Sequence, residues 1–285
     1  MVRRVLVALD SDRDTTVAIR YAGDVVRPCD GTVTGLALVA KDAIDNATAG
    51  GGIGSMYYAE KRRKELSEQV LGEAKTLLDQ FATHCENQDV RFEQAEVAIG
   101  VPHEQITEHL RYHDLLVAGD ESHFFYAKPD KRTHALARIA QAGAGAVLIV
   151  EKTYRAVERV LIAFDGDTTS ARTLQKFAHL APFGTDLPID LLCVVGDDSE
   201  EKRLVARDYL SRAASYLEAY GFSDLTHHTP VGGSALQTIL SHAEHSEADA
   251  IVAGAYSRSG ISRLFFGSTA KGLIESSPVP LFMYH

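Results

Sequence analysis

The amino-acid sequence says nearly the same thing twice. RRVLVALDSDRDTTVAIRYAGDVV, beginning at Arg3, returns as ERVLIAFDGDTTSARTLQKFAHLA from Glu158, and DLLVAGDES at Asp114 returns as DAIVAGAYS at Asp249. The spacing between copies is too long for a solenoid unit and suits a whole small domain, so one fold is used twice. With 285 residues, 45% of them hydrophobic, the chain has the apolar material for two cores, one per copy.

Within each copy the pattern alternates between short apolar runs and helical periodicity. Val5 to Leu9 is a strand-length run, Thr15 to Val26 has helical spacing, and Thr32 to Val39 is a second buried strand. A long charged amphipathic helix from Tyr58 to Cys85, a strand from Arg91 to Ala98 and a helix from Pro102 to Tyr112 follow. Leu115 to Ala118, His134 to Gln141 and Val147 to Val150 complete the copy as strand, helix and strand. The second copy repeats this order from Val160 to Met283. Strict alternation predicts an α/β fold: two tandem doubly wound domains, residues 1–152 and 153–285, each an open parallel five-stranded sheet with helices on both faces. Each copy ends in an apolar strand, Val147 to Val150 and Val279 to Met283, that would be a bare sheet edge in an isolated domain; pairing the two within the chain would make an intrachain pseudo-dimer. The joint, Glu151 to Ala156, lacks the Gly and Ser of a flexible linker, so the halves should be packed together. The first copy alone carries an insertion, residues 41–59. Its AGGGIGS lacks the Lys and the strand-to-helix setting of a phosphate loop and reads as a surface loop.

A net charge of -10 argues against a nucleic-acid partner, whose phosphates demand Lys and Arg. It leaves room for a small phosphorylated ligand, because one helix N-terminus can hold a phosphate. No apolar stretch approaches membrane-spanning length, and a cytoplasmic protein is expected. Cys29, Cys85 and Cys193 are odd in number and widely spaced, which suggests neither a disulfide framework nor a zinc site. His242 and His245 lie one helical turn apart with Glu244 between them, and His227-His228 begins a strand; solvent-facing histidines produce the same pattern, so no metal ligands are assigned.

Ligands of a doubly wound sheet bind at the carboxyl ends of its strands, where the winding direction reverses. Asp165 closes the first strand of the second copy, where its carboxylate can accept from ribose hydroxyls or cap the next helix. Gly254 closes the fourth strand. The loop AYSRSGISRLFF then delivers the chain to Gly267-Ser268-Thr269 at a helix start, where backbone amides and two hydroxyls can face an anion; alone, such a triplet is more often a cap. Arg258, Arg263 and Lys271 either reach a bound triphosphate or are solvated charges. In the first copy Gly119 is followed by Asp120 and Glu121, and Arg132-Thr133 occupies the Gly-Ser position, which would repel or crowd a phosphate chain.

The order Gly254, Ser257, nine residues, Gly267-Ser268 resembles the phosphate loop of the universal stress proteins, with Ser257 where the family usually has a second glycine. The resemblance covers the whole chain. Both copies show a first strand ending in Asp10 or Asp165 and a glycine-bearing approach to the third helix, Gly100-Val101-Pro102 and Gly232-Gly233-Ser234. It implies a tandem, two-domain member. Carried over by position, Ala163, Phe164, Asp165, Val194, Ala253 and Gly254 would surround adenosine, and Ser257, Gly267, Ser268 and Thr269 would lie along the phosphates. The implied ligand is ATP, with Mg2+ left open as its companion, bound by the second half alone. Further homodimerisation, through strands like those that pair the family's single-domain members, also stays open. Three function classes remain: a nucleotide-responsive stress-response binding module, a nucleotide hydrolase of the same architecture, and a ligand-free scaffold. No catalytic residue is nominated, since nothing marks a general base or a positioned water.

Overall fold

The computed structural model describes residues 1–9, 14–40, 56–95, 97–120, 132–255 and 267–285. Asp10, Glu121, Ser257, Arg258, Arg263 and the glycine-rich segment 41–55 lie outside them. The first half contains β1 (Arg4–Leu9), α1 (Asp14–Val26), β2 (Thr32–Ala40), α2 (Met56–Asn87), β3 (Phe92–Gln94), β4 (Ala98–Gly100), α3 (Pro102–Leu110), β5 (Leu115–Gly119), α4 (Arg132–Gln141) and β6 (Ala146–Val150). The second contains β7 (Val160–Ala163), α5 (Thr168–Leu180), β8 (Ile189–Leu192), α6 (Glu200–Glu218), β9 (Leu225–His228), α7 (Ala235–His245), β10 (Ala250–Gly254), α8 (Ser268–Ser276) and β11 (Leu281–Tyr284).

All strands join one sheet in the order β3-β2-β1-β5-β6-β11-β10-β7-β8-β9, with β4 also on β2. Every pairing is parallel except the seam between the halves. There β6 runs antiparallel to β11, with Leu281 opposite Ile149, Phe282 opposite Leu148 and Met283 opposite Val147. The two apolar end strands thus satisfy each other's backbone groups.

The expected division of the core needs correction. There are two buried layers, but each lies on one face of the sheet and runs through both halves. One gathers Ile19 and Phe81 from α1 and α2 with Phe177 and Leu210 from α5 and α6. The other gathers Ile106 and Leu136 from α3 and α4 with Ile239 and Leu273 from α7 and α8. The reason lies in the seam strands, which are apolar on both faces: Leu148 and Phe282 enter the first layer, Val147 and Met283 the second.

The expected strand over Arg91 to Ala98 is also two. Gly35 pairs with Gln94 but Leu38 with Ala98, so the outer strand gains one residue on β2 between those points, as at a bulge.

Elsewhere the repeat shows its physical meaning. Asp114 Oδ2 accepts from the N–H groups of Arg3 and Arg4 at 2.8 and 3.0 Å, and Asp249 Oδ2 accepts from Glu158 and Arg159 at 3.0 and 3.1 Å. In each half this aspartate ties the start of one strand to the start of the first, β5 to β1 and β10 to β7. The joint between halves is fastened to α1: the Tyr154 hydroxyl donates to Asp24 at 2.7 Å, Tyr21 donates to the Arg155 carbonyl at 2.7 Å, and Arg20 lies 3.5 Å from the Tyr154 ring centroid.

Phe282 on the seam is fully buried, edge-on to Phe177 at 5.5 Å. Phe282→Ala should cost about 3–5 kcal/mol. Urea unfolding should show that loss in a single transition.

Candidate functional site

The winding reverses at β7, which has β8 on one side and β10 on the other. Val252 lies opposite Ile162, so the two strands run out together at Ala163 and Ala253, and their carboxyl ends bound a crevice. Strand alternation sorts the candidates. Ala253 is buried in the layer beneath α7 and α8, and Ala163 and Val194 pack against that layer. Phe164 instead turns into the opposite layer, only 8% exposed, and its N–H donates to the Leu192 carbonyl at 2.9 Å. Its ring is therefore core, not part of the group lining the crevice.

Asp165 is exposed at the mouth. It is not the cap of α5; that role belongs to Asp167, whose side chain accepts from the Thr169 N–H. Asp165 Oδ1 accepts from the Asp167 N–H at 3.0 Å and from the Ser170 hydroxyl at 2.7 Å, which fixes the carboxylate's direction and leaves Oδ2 without a hydrogen bond among the described residues. Two glycines shape this corner. Gly166 has φ +75, and a Cβ there would sit 2.5 Å from the Tyr209 ring. At Gly254 a Cβ would sit 3.2 Å from Thr169 Cγ2 and 3.3 Å from the Ser170 amide, so this glycine lets β10 end hard against the first turn of α5. That packing role was not legible from the motif.

Gly267 is the N-cap of α8 with φ -61 and ψ 140, angles open to any residue. Its carbonyl accepts from Lys271 at 3.0 Å. No side chain caps this end, and the amides of Ser268, Thr269 and Ala270 have no acceptor among the described residues, which leaves a positive helix end. Gly267 is buried, Thr269 half-buried and Ser268 exposed. Lys271, the described one of the three candidate cations, is half-exposed and pairs with Glu275 at 3.6 Å. Cys193, buried at the end of β8, has its thiol pushed up to about 11 by burial and then by the charge of Asp165, so it offers no thiolate here.

The first half is electrostatically different. The Asp120 N–H bonds to Val150 at 2.8 Å as Ala255 does to Tyr284 at 2.9 Å, so Asp120 stands where the second half has alanine. Glu151 follows β6 immediately, its Oε1 buried and without a hydrogen-bond partner among the described residues. Burial first, and then Asp120, raises the Glu151 carboxyl above its ordinary range, with Arg155 opposing. Helix α4 opens at Arg132 rather than at a Gly-Ser pair.

Sequence reasoning weighed His228 and His242 and missed the Asp190 that lies beside them. Asp190, in the middle of β8, is 3% exposed; its Oδ2 faces Arg159 at 3.3 Å and its Oδ1 lies 2.9 Å from His228 Nε2. An aspartate inside the apolar run IDLL was the available signal.

A carboxyl raised in the folded state binds protons that the unfolded chain has released. The penalty for ionising Glu151 is thus absent below its unfolded value and grows as pH rises through its folded value. Glu151→Gln should raise the melting temperature at pH 7, and the gain should vanish below about pH 4. A gain that is independent of pH would contradict this reading.

Among the described residues no helix is long and apolar enough to cross a membrane. Residues 156–285 match the model of the universal stress protein family. A universal stress protein of Synechocystis is 26% identical over 137 residues, 48% of this chain and 46% of the relative, so the match spans about half that protein's length. The fold matches a universal stress protein from Archaeoglobus fulgidus with a TM-score of 0.68 at 20% identity, over 99% of this chain and 95% of that one. A putative universal stress protein from Pseudomonas aeruginosa matches with a TM-score of 0.60 at 16% identity, over 99% and 93%. Its second half thus matches the universal stress protein family, and its fold is shared end to end with solved proteins of that name.

Proposed function

We propose that the second half binds ATP and that the protein acts as a nucleotide-dependent regulatory module in a stress response. The observation that carries this is the crevice at the ends of β7 and β10, followed in the chain by the uncapped N-terminus of α8. Adenine would lie against the half-buried Ala163 and Val194, which pack on the layer that holds Ala253. Asp165, already oriented by Ser170, would accept from the ribose hydroxyls, while the amides and hydroxyls of Gly267, Ser268 and Thr269 would meet the phosphates. The carboxylates of Asp120 and Glu151 disfavour a polyphosphate in the first half. Binding is preferred to hydrolysis because Asp165, the described carboxylate at the mouth, is assigned to the ribose in this reading and not to a water at the phosphates.

Calorimetric titration should give one ATP per chain. Gly267→Val should weaken it by orders of magnitude, since losing even two charge-assisted hydrogen bonds of roughly 1.5–3 kcal/mol each suffices. Arg132→Ala should leave it unchanged. The melting temperature should rise with ATP in the parent and not in Gly267→Val. Two equivalents, or a Gly267 variant that binds like the parent, would refute the assignment.

A further inference from the structure

The cluster that Asp190 completes sits under α7, away from the crevice. Asp190, His228 and His242 each present a ligand atom, and these atoms lie within 4.8 Å of one another. The His228 and His242 rings are 4.4 Å apart. His242 Nε2 is buried yet has no hydrogen-bond partner among the described residues, which an ordinary ion pair between Arg159 and Asp190 does not explain.

The repeat supplies an internal comparison. Asp190 lies opposite Leu161 on β7, and in the first half Leu6 of β1 has Thr34 opposite it. Thr34 is equally buried, at 5%, and its hydroxyl lies 3.0 Å from His113 Nε2. The skeleton therefore closes over a hydroxyl in one copy. The buried carboxylate facing two imidazoles is an addition of the other, and such an addition is costly unless the charge has partners.

We propose that Asp190, His228 and His242 form a binding site for a divalent transition-metal cation of the Zn2+ type, with an open coordination position toward solvent. Two imidazoles and one carboxylate suit borderline cations and not Mg2+ or Ca2+, which take oxygen ligands. His228 becomes a ligand by carrying its proton on Nδ1, so that Nε2 turns from Asp190 to the metal. Arg159 holds the other carboxylate oxygen and orients it, while its charge moderates the affinity. The open position faces a shallow groove of about 340 Å3 lined by Pro230, Gln237, Thr238, Ser241, His242 and His245. A water or an anionic group can enter there.

The test is titration of the metal-free full-length chain with zinc sulfate against a chromophoric chelator, with no nucleotide present. One saturable equivalent is expected. His228→Ala, Asp190→Asn and His242→Gln should each weaken it at least tenfold, and His245→Ala, on an exposed neighbour outside the cluster, should change it by less than about twofold. Co2+ in the same site should show the visible absorption of a tetrahedral complex, lost in His242→Gln. Because Asp190→Asn bears on a buried position, His242→Gln at the half-exposed rim is the decisive variant: Zn2+ should raise the parent's melting temperature and not that of His242→Gln. Absence of a saturable equivalent, or undiminished binding by His242→Gln, would overturn the proposal.

Discussion

The antiparallel pairing of β6 with β11 is the contact on which the rest of the architecture depends. A parallel doubly wound sheet can cover both faces with helices, but it cannot hide its last strand. Here each half ends in a strand apolar on both faces, and each supplies the other's missing neighbour. The consequence extends beyond a few backbone hydrogen bonds. Because the side chains of these strands alternate between faces, the seam makes the two helical layers continuous, and Phe282 lies edge-on to Phe177 in the interior rather than at a boundary. The fastening of Tyr154 and Arg155 to Tyr21 and Asp24 then sets the joint between halves against α1.

Much of this was legible in the sequence. The alternation of apolar runs and helical spacing gave the element order, and the two bare end strands gave the pairing. The core was misjudged because composition counts apolar residues without saying which face they take; only the register of β6 on β11 reveals that the layers are shared. The run from Arg91 to Ala98 read as one strand because periodicity does not register a one-residue insertion relative to a neighbour. Phe164 was placed beside adenosine by its position in the resemblance, which does not say which way a ring turns; here the ring is buried in the layer of Phe177. Gly254, placed by position on the adenosine side, also lets β10 end hard against α5, a packing role that the motif does not show.

The candidate sites follow from where the copies have diverged on a shared frame. Position by position, Ala255 corresponds to Asp120 and Asp190 to Thr34, without disturbance of the strands that carry them. Neither difference is demanded by folding, since each alternative folds in the sister copy. In the first half, carboxylates gather at the strand ends where a phosphate would otherwise lie. In the second, Asp165 is the described carboxylate at the strand ends, which lead to an uncapped helix, while a buried carboxylate and two imidazoles gather farther along the sheet. One frame thus carries two different electrostatic surfaces, and both proposed ligands fall to the second half.

That claim is tested most directly by amide hydrogen exchange of the intact chain with and without ATP. The account predicts added protection at residues 163–165, 253–254 and 267–270, with none at the corresponding ends of β1 and β5 or at the start of α4. The seam strands should be protected equally in both conditions. Protection appearing in the first half, or shared evenly by the two copies, would contradict it.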